Sequence, residues 1–232
     1  MIPFSRLAMF DVDGTLVDSQ HNIVAAMTTA CSAAGIVPPP PDAIRRIIGL
    51  SLVEAVARLL PGLKEAAHRR IANAYKDAFF DLRARSDHQE PLFPGAEDAL
   101  ADLEDVGWQL GIATGKSRRG VQAMLDRHGL QGRFVTVQTA DDNPGKPHPA
   151  MLLRAIAEVG VAAADALMIG DTSFDMAMGR RAGLRVLGVA WGYHPPGELL
   201  AAGAEAVVGD YKALPPAAAA LFQRTACVRQ PS

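Results

Sequence analysis

A chain of 232 residues, 49% of them hydrophobic, with a formal net charge of −2, can bury a substantial core as one large domain or two modest ones. That near-neutral balance offers no basic field for nucleic acid or an anionic membrane surface, and no apolar run approaches the ~20 residues that span a bilayer. The two cysteines, Cys31 and Cys227, lie far apart and suit a reducing compartment rather than a structural disulfide. The first strand also begins too soon for a signal peptide, so a cytoplasmic protein is expected.

Residues 7–10, Leu-Ala-Met-Phe, read as a short buried strand that delivers Asp11 and Asp13 at its C-terminal end before Gly14 stops it. Residues two apart in extended chain point to the same side, so both carboxylates can face one site. After Ser19 the spacing of Ile23, Ala26, Met27 and Ala30 predicts a helix, ended by Gly35 and the prolines of 38–41, which read as a stiff connector. Two short helices are expected over 42–48 and 52–60, separated by Gly49. A longer one over 64–85 carries the apolar stripe Ile71, Ala74, Tyr75, Ala78, Phe79 and Leu82, read as core. No strand is legible in 19–90, which reads as an all-helical insert.

From Phe93 strands and helices alternate. A helix through Ala99, Leu100, Leu103 and Val106 closes at Gly107, and a strand over 108–113 ends at Thr114 and Gly115. A helix through Val121, Met124 and Leu125 stops at Gly129, a strand covers 134–137, and a helix 149–159. The strand 166–170 ends at Asp171, ahead of a helix through Ala182. Strands over 185–190 and 206–208, a helix over 198–202 between them, a last helix over 213–222 and a loose tail from 223 complete the chain. Such alternation predicts an α/β fold, a Rossmann-like parallel sheet flanked by helices, formed by 1–18 and 91–232 and interrupted by the helical 19–90.

Parallel strands align their C-terminal ends along one sheet edge. Asp11, Asp13, Thr114, Asp171 with Asp175 four residues on, and Lys146 in the loop Gly145-Lys146-Pro147-His148 can therefore converge despite their separation. In order and spacing, Asp11-x-Asp13-Gly14-Thr15, Thr114, Lys146 and Gly170-Asp171-x-x-x-Asp175 resemble the four motifs of the haloacid dehalogenase superfamily of aspartate-dependent phosphotransferases. The insert between the first two motifs, with Phe93-Pro94-Gly95 and Gly145-Lys146-Pro147, resembles the subfamily with a helical cap that includes phosphoglycolate phosphatases.

The resemblance implies a phosphatase in which Asp11 attacks phosphorus and Asp13 is general acid and base. It places Asp11, the backbone carbonyl of Asp13 and Asp171 on a metal, with Asp175 supporting the metal shell or Lys146. Thr114, Gly115 and Lys146 would bind the phosphate. Carboxylates crowded around a phosphate dianion need a cation, and Mg²⁺, a hard ion with oxygen ligands, is the natural choice. Asp13 speaks against a dehalogenase, whose leaving halide needs no proton, while a phosphosugar mutase or a pyrophosphatase of the same superfamily stays open. In the cap, Gly49-Leu50-Ser51 falls where the subfamily presents its specificity loop. Arg45 and Arg46 before it are either carboxylate binders or an ordinary solvated helix face.

Other classes fit less well. The stretch Gly111-Ile112-Ala113-Thr114-Gly115-Lys116-Ser117 is one residue short of the phosphate-loop spacing, so Lys116 reads as solvated or at the rim. A phospho-receiver module would have no use for Asp13 or the insert. His148 reads as a helix starter, with no second ligand at metal spacing. The expected partner is a small phosphorylated metabolite, phosphoglycolate being the best single match, with no nucleic acid and no membrane.

Overall fold

The computed structural model describes residues 6–226. Six parallel strands form one sheet: β1 (Arg6–Phe10), β2 (Trp108–Thr114), β3 (Phe134–Thr139), β4 (Ala166–Gly170), β5 (Arg185–Val189) and β6 (Ala206–Val208), in the order β3-β2-β1-β4-β5-β6. The first strand is central. Its Ala8 and Phe10 enter one apolar cluster with Leu100, Leu110 and Leu221, and its Leu7 and Met9 enter another with Met151, Leu152 and Met168. This two-sided burial is why β1 reads as an unbroken apolar run, and Leu7, Met9 and Phe10 each contribute roughly 1.5–3 kcal/mol by full burial.

Helices α5 (Ala96–Asp105), α6 (Arg118–His128), α7 (Ala150–Val159), α8 (Ser173–Ala182), α9 (Pro196–Ala201) and α10 (Leu214–Ala226) connect and flank the strands. The last helix continues beyond the predicted stop at 222, because nothing in Gln223-Arg224-Thr225-Ala226 breaks it. The remainder of the expected loose tail, with Cys227, lies outside the described residues.

Between β1 and α5 stand four helices and no strand: α1 (Gln20–Ala33), α2 (Pro41–Arg45), α3 (Leu52–Leu59) and α4 (Glu65–Ala84). They surround their own apolar cluster, with Met27, Ala30, Ile44, Val56, Ile71 and Phe79 buried. The stripe on α4 thus faces the helices' own core, as its period predicts. The second helix is shorter than the 42–48 expected. Beyond Arg45 the amides of Ile47, Ile48 and Leu50 each turn back to the carbonyl three residues earlier, and Gly49 takes φ +99°. The two chain connections to this insert run side by side. Asp18 N donates to Pro91 O at 2.9 Å and Phe93 N to Leu16 O at 2.9 Å, bridging Val17 to Leu92.

Tyr211, 2% exposed, donates its hydroxyl to Thr15 O at 2.7 Å, and Trp191 Nε1 donates to the same carbonyl at 3.0 Å. These bonds fix the turn after β1. Since Trp191 still serves Thr15 O, Tyr211→Phe should lower the unfolding free energy by only ~1 kcal/mol. In urea titrations the midpoint should fall with an unchanged slope. An unaltered midpoint would show that the bond does not hold the turn.

Candidate active site

The site grows from the register of β1 against β4. Phe10 stands beside Ile169 and Asp11 N donates to Ile169 O at 3.0 Å, so the residues that follow the two strands, Asp11 and Asp171, emerge as neighbours. After Asp11 the chain turns tightly, with the amides of Thr15, Leu16 and Val17 all directed at Val12 O at 3.2, 2.8 and 3.0 Å. Gly14 holds φ +87°, and a Cβ there would strike the Asp171 carboxylate and the Tyr193 ring, so both conformation and space demand glycine.

Asp11, Asp171, Asp175 and Lys146 are at most 1% exposed. Lys146 Nζ lies 2.8 Å from Asp11 Oδ1 and 2.6 Å from Asp175 Oδ1, and holds them by charge, since the angles depart from hydrogen bonding. The other Asp175 oxygen accepts from Thr172 N (3.0 Å) and Oγ1 (2.6 Å) in the capping box of α8. Asp171 accepts from Thr15 Oγ1 at 2.8 Å and Tyr193 N at 2.9 Å. Asp11 Oδ1 also accepts from Val12 N at 2.7 Å, whereas its Oδ2 is buried with no hydrogen-bond partner among the described residues.

Burial pushes the Asp11 carboxyl up to about 7, opposed by the charge of Lys146 and reinforced by Asp175. Burial, then the charges of Asp11 and Asp175, carry Asp171 well above the ordinary carboxylate range. For Lys146 burial works the other way, but Asp11 and Asp175 outweigh it and its pKa rises. One oxygen each from Asp11, Asp171 and Asp175 lies within 4.8 Å of the others. Three hard oxygen donors in a buried, net-negative cluster, with an orphaned carboxylate oxygen among them, fit a divalent metal ion.

Asp13 stands apart from that cluster. Its Oδ1 accepts from Ser19 Oγ at 2.6 Å and from Lys116 Nζ at 2.7 Å, and Lys116 Nζ also reaches Glu90 Oε1 at 2.6 Å. The side chain of Lys116 is only 7% exposed, which corrects the expectation that it is solvated or at the rim. Its flanking acids outweigh its burial and raise its pKa. Sequence reading missed Ser19 and Glu90 as well. They lie at the two connections to the insert, and only their placement at those crossings could have drawn attention to them. Thr114, 1% exposed, and Gly115 stand at the end of β2 beside Asp11 and Asp13 at a cavity of about 610 Å³.

Gly49 and Leu50 line the same cavity, and their carbonyls press so closely on Gly115 that a Cβ there would lie 2.9 and 2.7 Å from them. Arg45 and Arg46 are not among the residues lining it. The first is engaged by Asp42 (2.6 Å) and Gln20 (2.9 Å), the second by Glu198 (2.8 Å). Buried His194 accepts from Ser173 N at 3.1 Å and meets Arg46 O at 3.2 Å, joining α8 to the insert. His148 Nδ1 accepts from Ala150 N at 3.2 Å at the start of α7.

Residues 8–189 match the family described as haloacid dehalogenase-like hydrolase. The chain belongs to that family. Among relatives of this hydrolase, a protein named "Probable phosphatase IndB" from Dickeya dadantii is 36% identical over 94% of this chain and 95% of its own. A phosphoglycolate phosphatase of Pseudomonas putida is 31% identical over 92% and 80%. A solved hydrolase from Pseudomonas syringae superposes with a TM-score of 0.83 at 30% identity, over 94% of this chain and 99% of that one. The Rossmann-like parallel sheet and the enzyme class expected from Asp11 and Asp13, a phosphatase, agree with these relatives.

The raised Asp11 carboxyl has a sign that can be tested in the metal-free hydrolase. With an ordinary value of 3.8 unfolded and about 7 folded, the native state holds the extra proton between them. That contribution to stability is full below pH ~3.8 and is lost as pH rises through ~7. Asp11→Asn should therefore melt above wild type at pH 8 with chelator present, the gap closing toward pH 4. A divalent cation at pH 8 should raise the melting temperature of wild type more than that of the variant. Parallel melting curves across this pH range would remove the charge cluster as a source of instability.

Proposed function

We propose that this hydrolase is a Mg²⁺-dependent phosphatase that passes the phosphoryl group of a phosphate monoester to Asp11 and then to water. The observation that carries the reading is Asp11 Oδ2, buried and without a partner among the described residues, on a carboxylate whose other oxygen meets Lys146, with Asp13 two residues away at the same cavity. Asp11, the carbonyl of Asp13 and Asp171 would hold the metal, which supplies neutralisation of charge on the phosphate oxygens. Asp175 orients Lys146, whose ammonium balances Asp11 and the transferring group. Thr114 Oγ1 and the Gly115 amide donate to phosphate oxygens.

Asp13 protonates the departing alkoxide, then takes the proton of the water that cleaves the aspartyl-phosphate. Ser19 and Lys116 hold its carboxylate in place for both transfers. The division of labour follows the chain: 1–18 and 91–232 form the catalytic core, and 19–90 a cap that shelters the reaction from water and selects the ester. The relatives named phosphoglycolate phosphatase make phosphoglycolate the first ester to try. A cytoplasmic setting suits such a metabolite.

Asp11→Asn should abolish phosphate release from every ester, and EDTA should do the same to wild type until Mg²⁺ is restored. Asp13→Asn should slow an alkyl phosphate by ~10²–10⁴-fold. With nitrophenyl phosphate, whose leaving group needs no proton, the Asp13 variant should give a burst approaching one nitrophenolate per site and then stall. Intact-mass measurement should find the added phosphoryl group on that variant and none on Asp11→Asn. Wild-type turnover of an alkyl phosphate by Asp13→Asn would refute the acid–base role.

A further inference from the structure

The cavity above Asp11 is much larger than a phosphoryl site requires. Its volume of about 610 Å³ lies within the range of pockets that enclose drug-sized molecules, whereas glycolate adds two carbons to its phosphate. Beyond the aspartates its lining includes an apolar stretch, Met27, Leu52, Val53, Phe79 and Phe80. Val53 and Phe80 are 37% and 48% exposed, large apolar side chains left facing the open cavity. Such exposure loses hydrophobic stabilisation in the free protein, which a bound apolar body would recover.

The same cavity carries cations that the phosphoryl chemistry does not use. Arg69 on its wall is taken by Glu65, but Lys76, Arg83 and Arg119 have no carboxylate partner among the described residues. The Arg83 guanidinium lies over the Phe79 ring at 4.9 Å and its Nε is buried without a hydrogen-bond partner among the described residues. That of Arg119 lies over the Phe80 ring at 4.4 Å. Stacking on a ring fixes the plane of a guanidinium while leaving its edge free to accept a carboxylate or a phosphate. Arg45 and Arg46 lie outside this lining and pair with Asp42 and Glu198.

Resting on the phosphatase reading, we propose that the substrate is a phosphate monoester with an apolar body much larger than glycolate's. It carries a second anionic group, a carboxylate or a further phosphate, received by Arg83 and Arg119. The apolar walls hold the body, and the stacked guanidiniums set its far end.

The test compares four alkyl esters with leaving groups of one chemical kind, in Mg²⁺: 2-phosphoglycolate, benzyl phosphate, 4-carboxybenzyl phosphate and the bisphosphate of benzene-1,4-dimethanol. Benzyl phosphate should exceed phosphoglycolate in kcat/KM. The better of the two esters with a second anion should exceed benzyl phosphate by about tenfold or more, as expected for a charge-assisted hydrogen bond. Which of those two leads assigns carboxylate or phosphate. Arg119→Met, and separately Arg83→Met, should draw that preference toward one. Because Arg119 is exposed, its variant tests the idea even if Arg83→Met fails to fold. Phosphoglycolate as the fastest ester, or no advantage from the second anion, would overturn the inference while leaving a phosphatase. Hydrolysis of none of the four, nor of nitrophenyl phosphate, would overturn the phosphatase reading itself.

Discussion

Like charge confined in a dry place is the constraint from which the site follows. Asp11, Asp171 and Asp175 are brought together by strand register and by the first turn of α8, and two unit charges 4 Å apart repel by about 4 kcal/mol at an effective dielectric of ~20. The surrounding contacts are arranged against that repulsion. Lys146 is fully buried between Asp11 and Asp175, Thr172 donates to the second oxygen of Asp175, and Thr15 with the Tyr193 amide serves Asp171. What stays unserved among the described residues is one oxygen of Asp11, and a cluster so costly without a cation fits one.

The two aspartates of Asp11-Val12-Asp13 sit two residues apart in different surroundings. Both line the cavity, but Asp11 belongs to the buried cluster, whereas Asp13 takes hydrogen bonds from groups outside that cluster. Those groups come from opposite ends of the insert: Ser19 directly, and Glu90 by way of Lys116. Environments that differ so strongly over so short a distance allow two carboxylates to take separate chemical roles.

The sheet was legible because its central strands are buried on both faces, and the core of the site because each of its groups sits at a strand end, in the loop after one or at the start of the next helix. Asp11, Asp13, Thr114, Lys146, Asp171 and Asp175 can be placed by counting strands. Lys116 could not, since a lysine near the start of a helix looks like any solvated cation until Glu90, 26 residues earlier, is packed against it. Arg45 and Arg46 show the converse. Their position before Gly49 left carboxylate binding and a solvated helix face both open; Asp42 meets Arg45 at helical spacing, whereas Gln20 and Glu198 reach the two arginines through packing that periodicity does not encode. The continuation of α10 to Ala226 was hidden by composition alone, as Gln223-Arg224-Thr225 is polar but contains nothing that stops a helix.

The paired backbone bonds at Leu16, Asp18, Pro91 and Phe93 bring the chain back to the point from which it left. The sheet therefore experiences the whole helical excursion as a single short stitch, whatever its length. Closure entropy grows only with the logarithm of the loop, so the length of chain between those crossings costs the sheet little. The walls that the insert lends to the cavity can therefore change while the strand ends that carry Asp11 and Asp171 keep their places.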